Sequence, residues 1–307
     1  MESHITVVGS INTDLVIRTT RVPLPGETIT GRDFKIIAGG KGANQAVAAA
    51  RQGANVTLIG SIGADDFGRQ QQDGLRREQI DISFLTADKR HATGVAMITL
   101  DEAGQNSIIV SPEANGAVTV DQIDAARDAI ARSDMLLCQL EIPLDAVTRA
   151  IEIAHANDVP VLLNPAPAQH FEPSLLQKVT YLIPNEFEAG FLTGVDVHDT
   201  ESAQKAAVQL QTLGVATVIL TLGEQGAVIA DAGQFCHEPA LVVDAVDTTA
   251  AGDTFVGSFA VARTEGKSVV EAVRFAKHAA ALAVTKLGAQ PSVPTRAEVE
   301  QYMSGTH

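Results

Sequence analysis

The sequence predicts an α/β fold, a three-layer α/β/α domain around a mainly parallel sheet, with a small β-sheet set apart from it. Three observations carry that expectation. Short apolar runs alternate with Ala-rich or amphipathic helical stretches along most of the 307 residues, the pattern of repeated βα units. Hydrophobic residues make up 45% of the chain, enough for a sizeable core and too many for disorder. Residues 28–37, 94–100 and 106–110 break the rhythm: they alternate as exposed strands with no helices between them. Asp101-Glu102-Ala103-Gly104-Gln105 joins the last two as a hairpin.

Taken in order, strands are expected at 5–9, 55–60, 82–85, 135–140, 159–163, 180–183, 216–222 and 227–230, with a further apolar strand-like run at 240–246. Helices are expected at 43–52, 65–79, 121–132, 144–157, 202–213, 255–262, 269–287 and 295–302. Pro143 suits the start of its helix, and Gly288 the stop of the one before it. Pro23, Pro25 and Gly26 break the chain after the first strand, where the lid-like segment begins. The whole reads as one domain over 1–307, with lid strands roughly at 13–36 and 94–111 inserted in the α/β core.

The formal net charge of −15 argues against nucleic acid or an anionic membrane as partner. It leaves ATP open, because backbone N–H groups and a metal ion can hold phosphates inside an acidic protein. Cys138 and Cys236 form no CxxC pair, and Cys138 sits in an apolar run as a reduced core thiol. Met1-Glu2-Ser3-His4 does not resemble a signal peptide and no apolar run reaches membrane-spanning length, so a cytoplasmic location is expected. The eight histidines show no HxxxH or HxH spacing, so none is assigned to a metal.

Two glycine-containing stretches carry the chemistry. Asp247-Thr248-Thr249-Ala250-Ala251-Gly252-Asp253-Thr254 precedes a buried helix, and small residues there allow a tight turn with several N–H groups exposed at a helix start. Such a start attracts anions. Asp253 makes sense beside an anion if it takes a proton from a hydroxyl while the N–H groups hold a transferred phosphoryl group. It reads equally well as a helix cap after a glycine turn. Gly39-Gly40-Lys41-Gly42-Ala43-Asn44-Gln45-Ala46 opens an Ala-rich helix. It is neither a Walker A loop nor GxGxxG. Three glycines imply close backbone approach to something bound, with Asn44 placed to meet a sugar hydroxyl, or else a plain turn with Lys41 and Asn44 solvated.

Other candidates lie at strand ends. Asn12 and Asp14 follow the first strand, and Glu141 stands at the end of 135–140, where open α/β sheets bind ligands. Asp14 also suits an Asx turn, and Glu141 a solvated strand end. Asn185 and Glu188 lie three apart across a strand-to-helix turn, which fits a phosphate and Mg²⁺ contact or a capping pair. Gly223 and Gly226 approach a nucleotide or simply close a hairpin.

With both stretches in view, the chain resembles the phosphofructokinase B sugar-kinase family over nearly its full length. Gly39 to Ala46 matches the first family signature and Asp247 to Thr254 the second. Gly9-Ser10-Ile11-Asn12-Thr13-Asp14, Pro25-Gly26-Glu27-Thr28, Asn164-Pro165-Ala166-Pro167-Ala168 and Gly288-Ala289-Gln290-Pro291-Ser292-Val293-Pro294 look like its ribokinase branch. The resemblance implies a ribokinase-like fold and ATP-dependent phosphorylation of D-ribose at the 5-hydroxyl, with 2-deoxyribose as the rival sugar. It implies Asp253 as base and Ala250, Ala251 and Gly252 as anion hole. Asn12, Asp14, Gly40, Lys41, Gly42, Asn44 and Glu141 match sugar-binding positions. Asn185, Thr221, Gly223, Gly226 and Gly252 match nucleotide positions, and Glu188 completes an Asn-x-x-Glu motif linked indirectly to Mg²⁺. An activating K⁺ is implied at Asp247, Thr249, Ala283, Lys286, Gly288 and Ser292, several through backbone carbonyls. A homodimer through the lid strands is also implied. Lys277, near the expected adenine site, departs from the neutral or weakly basic polar residue of similar proteins. A dinucleotide oxidoreductase is disfavoured by the missing GxGxxG after the first strand. A sugar-binding regulator would have no need of a base.

Overall fold

The structure, a computed structural model, describes residues 3–102 and 106–305. Met1 and Glu2 of the amino-terminal reading, and residues 103–105 of the expected hairpin connection, lie outside them. The strands are β1 (His4–Val8), β2 (Asn12–Arg18), β3 (Arg32–Gly39), β4 (Asn55–Gly63), β5 (Leu85–Asp88), β6 (Gly94–Leu100), β7 (Asn106–Ser111), β8 (Met135–Cys138), β9 (Val161–Leu163), β10 (Tyr181–Leu182), β11 (Thr217–Thr221), β12 (Ala227–Asp231) and β13 (Gln234–Glu238). The helices are α1 (Lys41–Arg51), α2 (Asp66–Arg77), α3 (Val120–Ala125), α4 (Arg127–Ala131), α5 (Leu144–Ala156), α6 (Glu186–Thr193), α7 (Thr200–Thr212), α8 (Ala251–Thr264), α9 (Val269–Val284) and α10 (Arg296–Met303).

A nine-stranded sheet runs in the order β13-β12-β11-β10-β9-β8-β1-β4-β5. It is parallel from β5 to β11 and antiparallel only at β12 and β13. Parallel strands need crossover helices, and those helices cover both faces. The central strands are accordingly apolar throughout: Met-Leu-Leu-Cys in β8 and Val-Leu-Leu in β9 are buried at every position. Alternate residues then feed opposite layers. Leu137 joins a core with α1, α8 and α9, while Leu136 and Cys138 join one with α3, α4, α5 and α7. Burial pushes the Cys138 thiol far up, in keeping with an inert core residue.

Within the first of these layers α1 and α8 meet almost backbone to backbone. A Cβ on Gly257 would lie 2.6 Å from Ala48 Cβ and 2.7 Å from the Gln45 carbonyl oxygen. Only glycine fits that crossing.

A second sheet of four strands has the order β3-β2-β6-β7. The chain leaves β1 through Gly9, Ser10 and Ile11 and enters β2, which pairs antiparallel with β3 and parallel with β6. Asn12 lies opposite both Gly39 and Gly94. The sugar-site candidates Asn12 and Asp14 therefore stand at the seam between the two sheets.

Several boundaries differ from the sequence reading. The run 240–246 forms no strand; Val242 is fully exposed and Val246 largely so. The outer place in the sheet is taken instead by β13, whose Gln-Phe-Cys-His-Glu sequence lacks the apolar signal of a central strand because it is an edge. The expected helix 121–132 is two helices, broken at Ala126 with φ −96° and ψ 7°. The helix of 269–287 ends at Val284 and the strand of 82–85 falls at Leu85–Asp88.

The close crossing makes a testable demand. Gly257→Ala overpacks backbone against backbone, and we expect a loss of about 1–3 kcal/mol in urea denaturation. An unchanged midpoint would mean that the two helices separate without cost.

Candidate active site

Asp253 sits in the first turn of α8 and is 6% exposed. Its carboxylate is held by two amides from the start of α1. Asn44 Nδ2 donates to Oδ2 at 2.9 Å and Gln45 Nε2 donates to Oδ1 at 3.0 Å. The amides form a longer chain: Gln139 Nε2 donates to Gln45 Oε1 at 2.6 Å, and Gln45 Nε2 also donates to Asn164 Oδ1 at 3.1 Å. Residues from the ends of β8 and β9 thus fix the orientation of the carboxylate. Asn44 Oδ1 is buried with no partner, an acceptor left for a ligand donor.

Directly before Asp253 the backbone is arranged for an anion. Ala250 adopts a left-handed φ of 61° at the cap of α8 and provides no side-chain cap. A non-glycine residue there costs on the order of 1 kcal/mol, a price that recurs at functional sites. The Ala251 N–H bonds Thr248 O at 3.2 Å. Gly252 and Asp253 occupy the next two helical positions, whose N–H groups have no intrahelical partner.

The glycines of the first stretch do specific work. Gly40 has φ 88°, and a Cβ on it would lie 2.6 Å from the Asn12 nitrogen. One on Gly42 would lie 2.6 Å from the Ser10 nitrogen, and one on Gly39 would collide with the Asp14 carboxylate. Their absence lets the start of α1 lie against the β1–β2 turn. Glu141 then caps that start: the Lys41 N–H donates to Glu141 Oε2 at 3.1 Å, and Ser10 Oγ donates to the same oxygen. Asn12 Oδ1 accepts from Asn115 Nδ2 at 2.7 Å.

Four carboxylates surround one amine. Burial pushes Asp14 up from 3.8 to about 7, and the negative charges of Glu141 and Asp253 add to it while Lys41 opposes. For Lys41, burial works downward, but Asp253, Glu141, Glu188 and Asp14 together outweigh it and raise the amine above its ordinary value. Glu188 is raised, chiefly by burial, against the Asn185 N–H and Lys41. Glu188 is thus electrostatically coupled to the same crevice from the far side.

On that far side Asn185 and Glu188 form a reciprocal cap on α6. The Asn185 N–H donates to Glu188 Oε2 at 2.9 Å, and the Glu188 N–H donates to Asn185 Oδ1 at 2.8 Å. Thr221 bridges to Asn185, which places the Gly223 to Gly226 turn beside that cap. A Cβ on Gly226 would clash with the Glu238 carbonyl. Lys277 is not free: its Nζ donates to Glu238 Oε2 at 3.0 Å and to Pro239 O at 3.1 Å.

Asp247 joins two loops. Its Oδ1 accepts from the Thr249 N–H and its Oδ2 from the Gly288 N–H, each at 2.9 Å. Ser292 is fully buried and donates to Ala289 O at 2.8 Å. Lys286 turns its amine to Glu298 at 2.8 Å, so only its backbone remains for the loop. Ala283 lies in the last turn of α9, buried.

Sequence reasoning missed Gln45, Gln139, Asn164 and Ser10 as parts of the site. Gln45 was legible in retrospect, as a polar residue set among the small residues of an alanine-rich helix, where it is fully buried.

A buried carboxylate at a helix start, an amide oxygen without a partner and backbone donors left free by the helix are parts that a phosphoryl-transfer site can use. Comparison with known proteins agrees. The family model described as pfkB family carbohydrate kinase matches residues 2–296, and the chain belongs to that family. It is 45% identical over 303 residues to the ribokinase of Haemophilus influenzae, covering 99% of each chain. It is 36% identical to the deoxyribokinase of Salmonella typhi, covering 98% of each. The solved structure of Arabidopsis thaliana ribokinase complexed with ribose and ATP superposes with a TM-score of 0.92 at 34% identity, covering 98% of each chain.

The raised Asp14 value has a stability consequence. A folded-state value above the unfolded one gives stability that is full below about pH 4 and lost as pH rises through about 7. Asp14→Asn should therefore melt higher than the parent at pH 8, and the gap should shrink at pH 5. Thermal melts at both pH values check this; a gap independent of pH would contradict the electrostatic account.

Proposed function

We propose that this chain is a ribokinase, transferring the γ-phosphoryl group of ATP to the 5-hydroxyl of D-ribose to give D-ribose 5-phosphate and ADP. The observation that carries the reading is Asp253, held by Asn44 and Gln45 at the start of α8. Sugar-side and phosphate-side elements meet at that one carboxylate. Its fixed orientation lets it take the hydroxyl proton as the oxygen attacks the γ-phosphorus. Of the N–H groups at 250–253, those of Gly252 and Asp253 have no intrahelical partner and receive the charge on the phosphoryl oxygens without reorganising, while that of Ala251 is shared with Thr248 O. Asn12, Asp14, Gly40, Lys41, Gly42, Asn44 and Glu141 hold the sugar, and Asp14 accepts from two adjacent hydroxyls. Asn185, Thr221, Gly223 and Gly226 line the nucleotide side.

Mg²⁺ and K⁺ are the ions this reading calls for, neutralising the phosphates and ordering the anion hole when bound. Glu188 suits an indirect Mg²⁺ contact, because both its oxygens already accept from Asn185. The groups at Asp247, Thr249, Ala283, Lys286, Gly288 and Ser292 offer a carboxylate, a hydroxyl and backbone carbonyls. That all-oxygen set fits a large, weakly hydrated cation, so K⁺ is assigned there. Among the described residues no helix is long and apolar enough to cross a membrane, and the protein is read as cytoplasmic.

The second sheet is read as a lid over the sugar and as the surface of a homodimer. Ile36, Leu15, Met97 and Ile109 form one cross-strand row. Ile36, Met97 and Ile109 are largely exposed, and a row of that kind favours a like partner.

Two kinetic outcomes are expected. Asp253→Asn lowers kcat by about 10²–10⁴-fold with ribose affinity largely kept, read by ADP release and calorimetry; unchanged turnover removes the base. Ribose exceeds 2-deoxyribose in kcat/KM by roughly 5- to 150-fold, the equivalent of about 1–3 kcal/mol for an acceptor left unpaired at Asp14. Equal values would favour the deoxyribokinase alternative.

A further inference from the structure

The loop after Gly288 is fastened from behind by the far end of α1. Arg51, in the last turn of that helix, donates from Nη1 to Gln290 O at 3.0 Å and to Val293 O at 2.6 Å. Its other edge forms a two-point fork on Glu78, Nε to Oε2 at 3.0 Å and Nη2 to Oε1 at 2.7 Å. The neighbouring Gln52 Nε2 donates to Pro294 O at 2.8 Å. From the opposite side, the Asp247 carboxylate holds the Gly288 N–H. The short turn between the two carbonyls bonded to Arg51 carries Ser292, which is fully buried.

A guanidinium is suited to this task. It is planar, permanently charged and rigid, so one edge held by a carboxylate fixes where the other edge points. Carbonyl ligands bind a monovalent cation well only when their positions are set in advance, because each such dipole is weak on its own. A loop pinned at Gly288, Gln290, Val293 and Pro294 meets that requirement.

We propose that Arg51 is a positioning residue for monovalent-cation binding, holding the 288–294 loop so that Gly288 and Ser292 present their oxygens to K⁺. This rests on the K⁺ assignment made above. It also runs the connection through α1, whose other end carries Asn44 and Gln45 against Asp253. Cation site and sugar motif share one helix, and any coupling between them is reciprocal.

The test is a K⁺ titration followed by thermal shift, with Li⁺ replacing K⁺ at constant ionic strength, and ribose affinity measured by calorimetry. Arg51→Gln should raise the K⁺ midpoint about tenfold while ribose affinity changes less than twofold. Arg51→Lys keeps the charge but replaces the planar fork with a single ammonium nitrogen, and should fall between. Glu78→Gln, which loosens the fork without touching the loop, should move the midpoint in the same direction and serves if Arg51→Gln does not fold. Arg149→Gln breaks a remote pair with Asp124 and should lower the melting temperature without moving the midpoint. A parent protein with no K⁺ response overturns the cation assignment and this proposal together. A parent that responds, with Arg51 and Glu78 variants at the same midpoint, overturns this proposal alone.

Discussion

Gly257 packed on Ala48 is the contact from which the site follows. Because α8 has no side chain at that point, α1 approaches until its first turn lies beside the first turn of α8. The helices run from different parts of the sequence, one following the β3 strand of the second sheet and the other following the loop that contains Asp247. Their approach makes one carboxylate answer to two amides 208 and 209 residues away. A wider crossing, of the kind larger side chains impose, would leave Asp253 in reach of neither.

The rest of the arrangement serves that pairing. The nine-stranded sheet places β1, β8 and β9 side by side, so the ends that carry Ser10, Gln139, Glu141 and Asn164 converge. Their amides and hydroxyl then build inward, each fixing the next. Buried polar chains of this sort hold a unique geometry only when nearly every member is satisfied. Among the described residues, two members of that chain keep an oxygen without a partner, Asn44 Oδ1 and Gln139 Oε1, and in the reading proposed above the Asn44 oxygen is the acceptor left for a sugar hydroxyl.

Much of this was legible from the residues alone. Alternation of apolar runs with helical stretches gave the layered α/β architecture, because strands buried on both faces must be apolar at every position. The two glycine stretches are the ones the structure brings together at Asp253, and backbone that must pass within contact distance of other backbone leaves no choice of residue at Gly40 and Gly42. What stayed hidden has a common cause. The β13 strand is polar because an edge faces water. The 240–246 run is apolar yet exposed, since no neighbour covers it. Gln45, Gln139 and Asn164 join the carboxylate through partners 94, 119 and 208 residues off, and spacing along the chain says nothing of such meetings. Lys277 shows the same limit: its neighbours near Glu238, and not its own charge, decide what it does.

The ring of acids about Lys41 has a consequence for the order of events. Asp14, Glu141, Glu188 and Asp253 all act on the Lys41 amine, so the crevice is an unfavourable setting for a bare polyanion. A polyanion carrying a divalent ion would meet less of that repulsion than a bare one, and a neutral sugar would meet none.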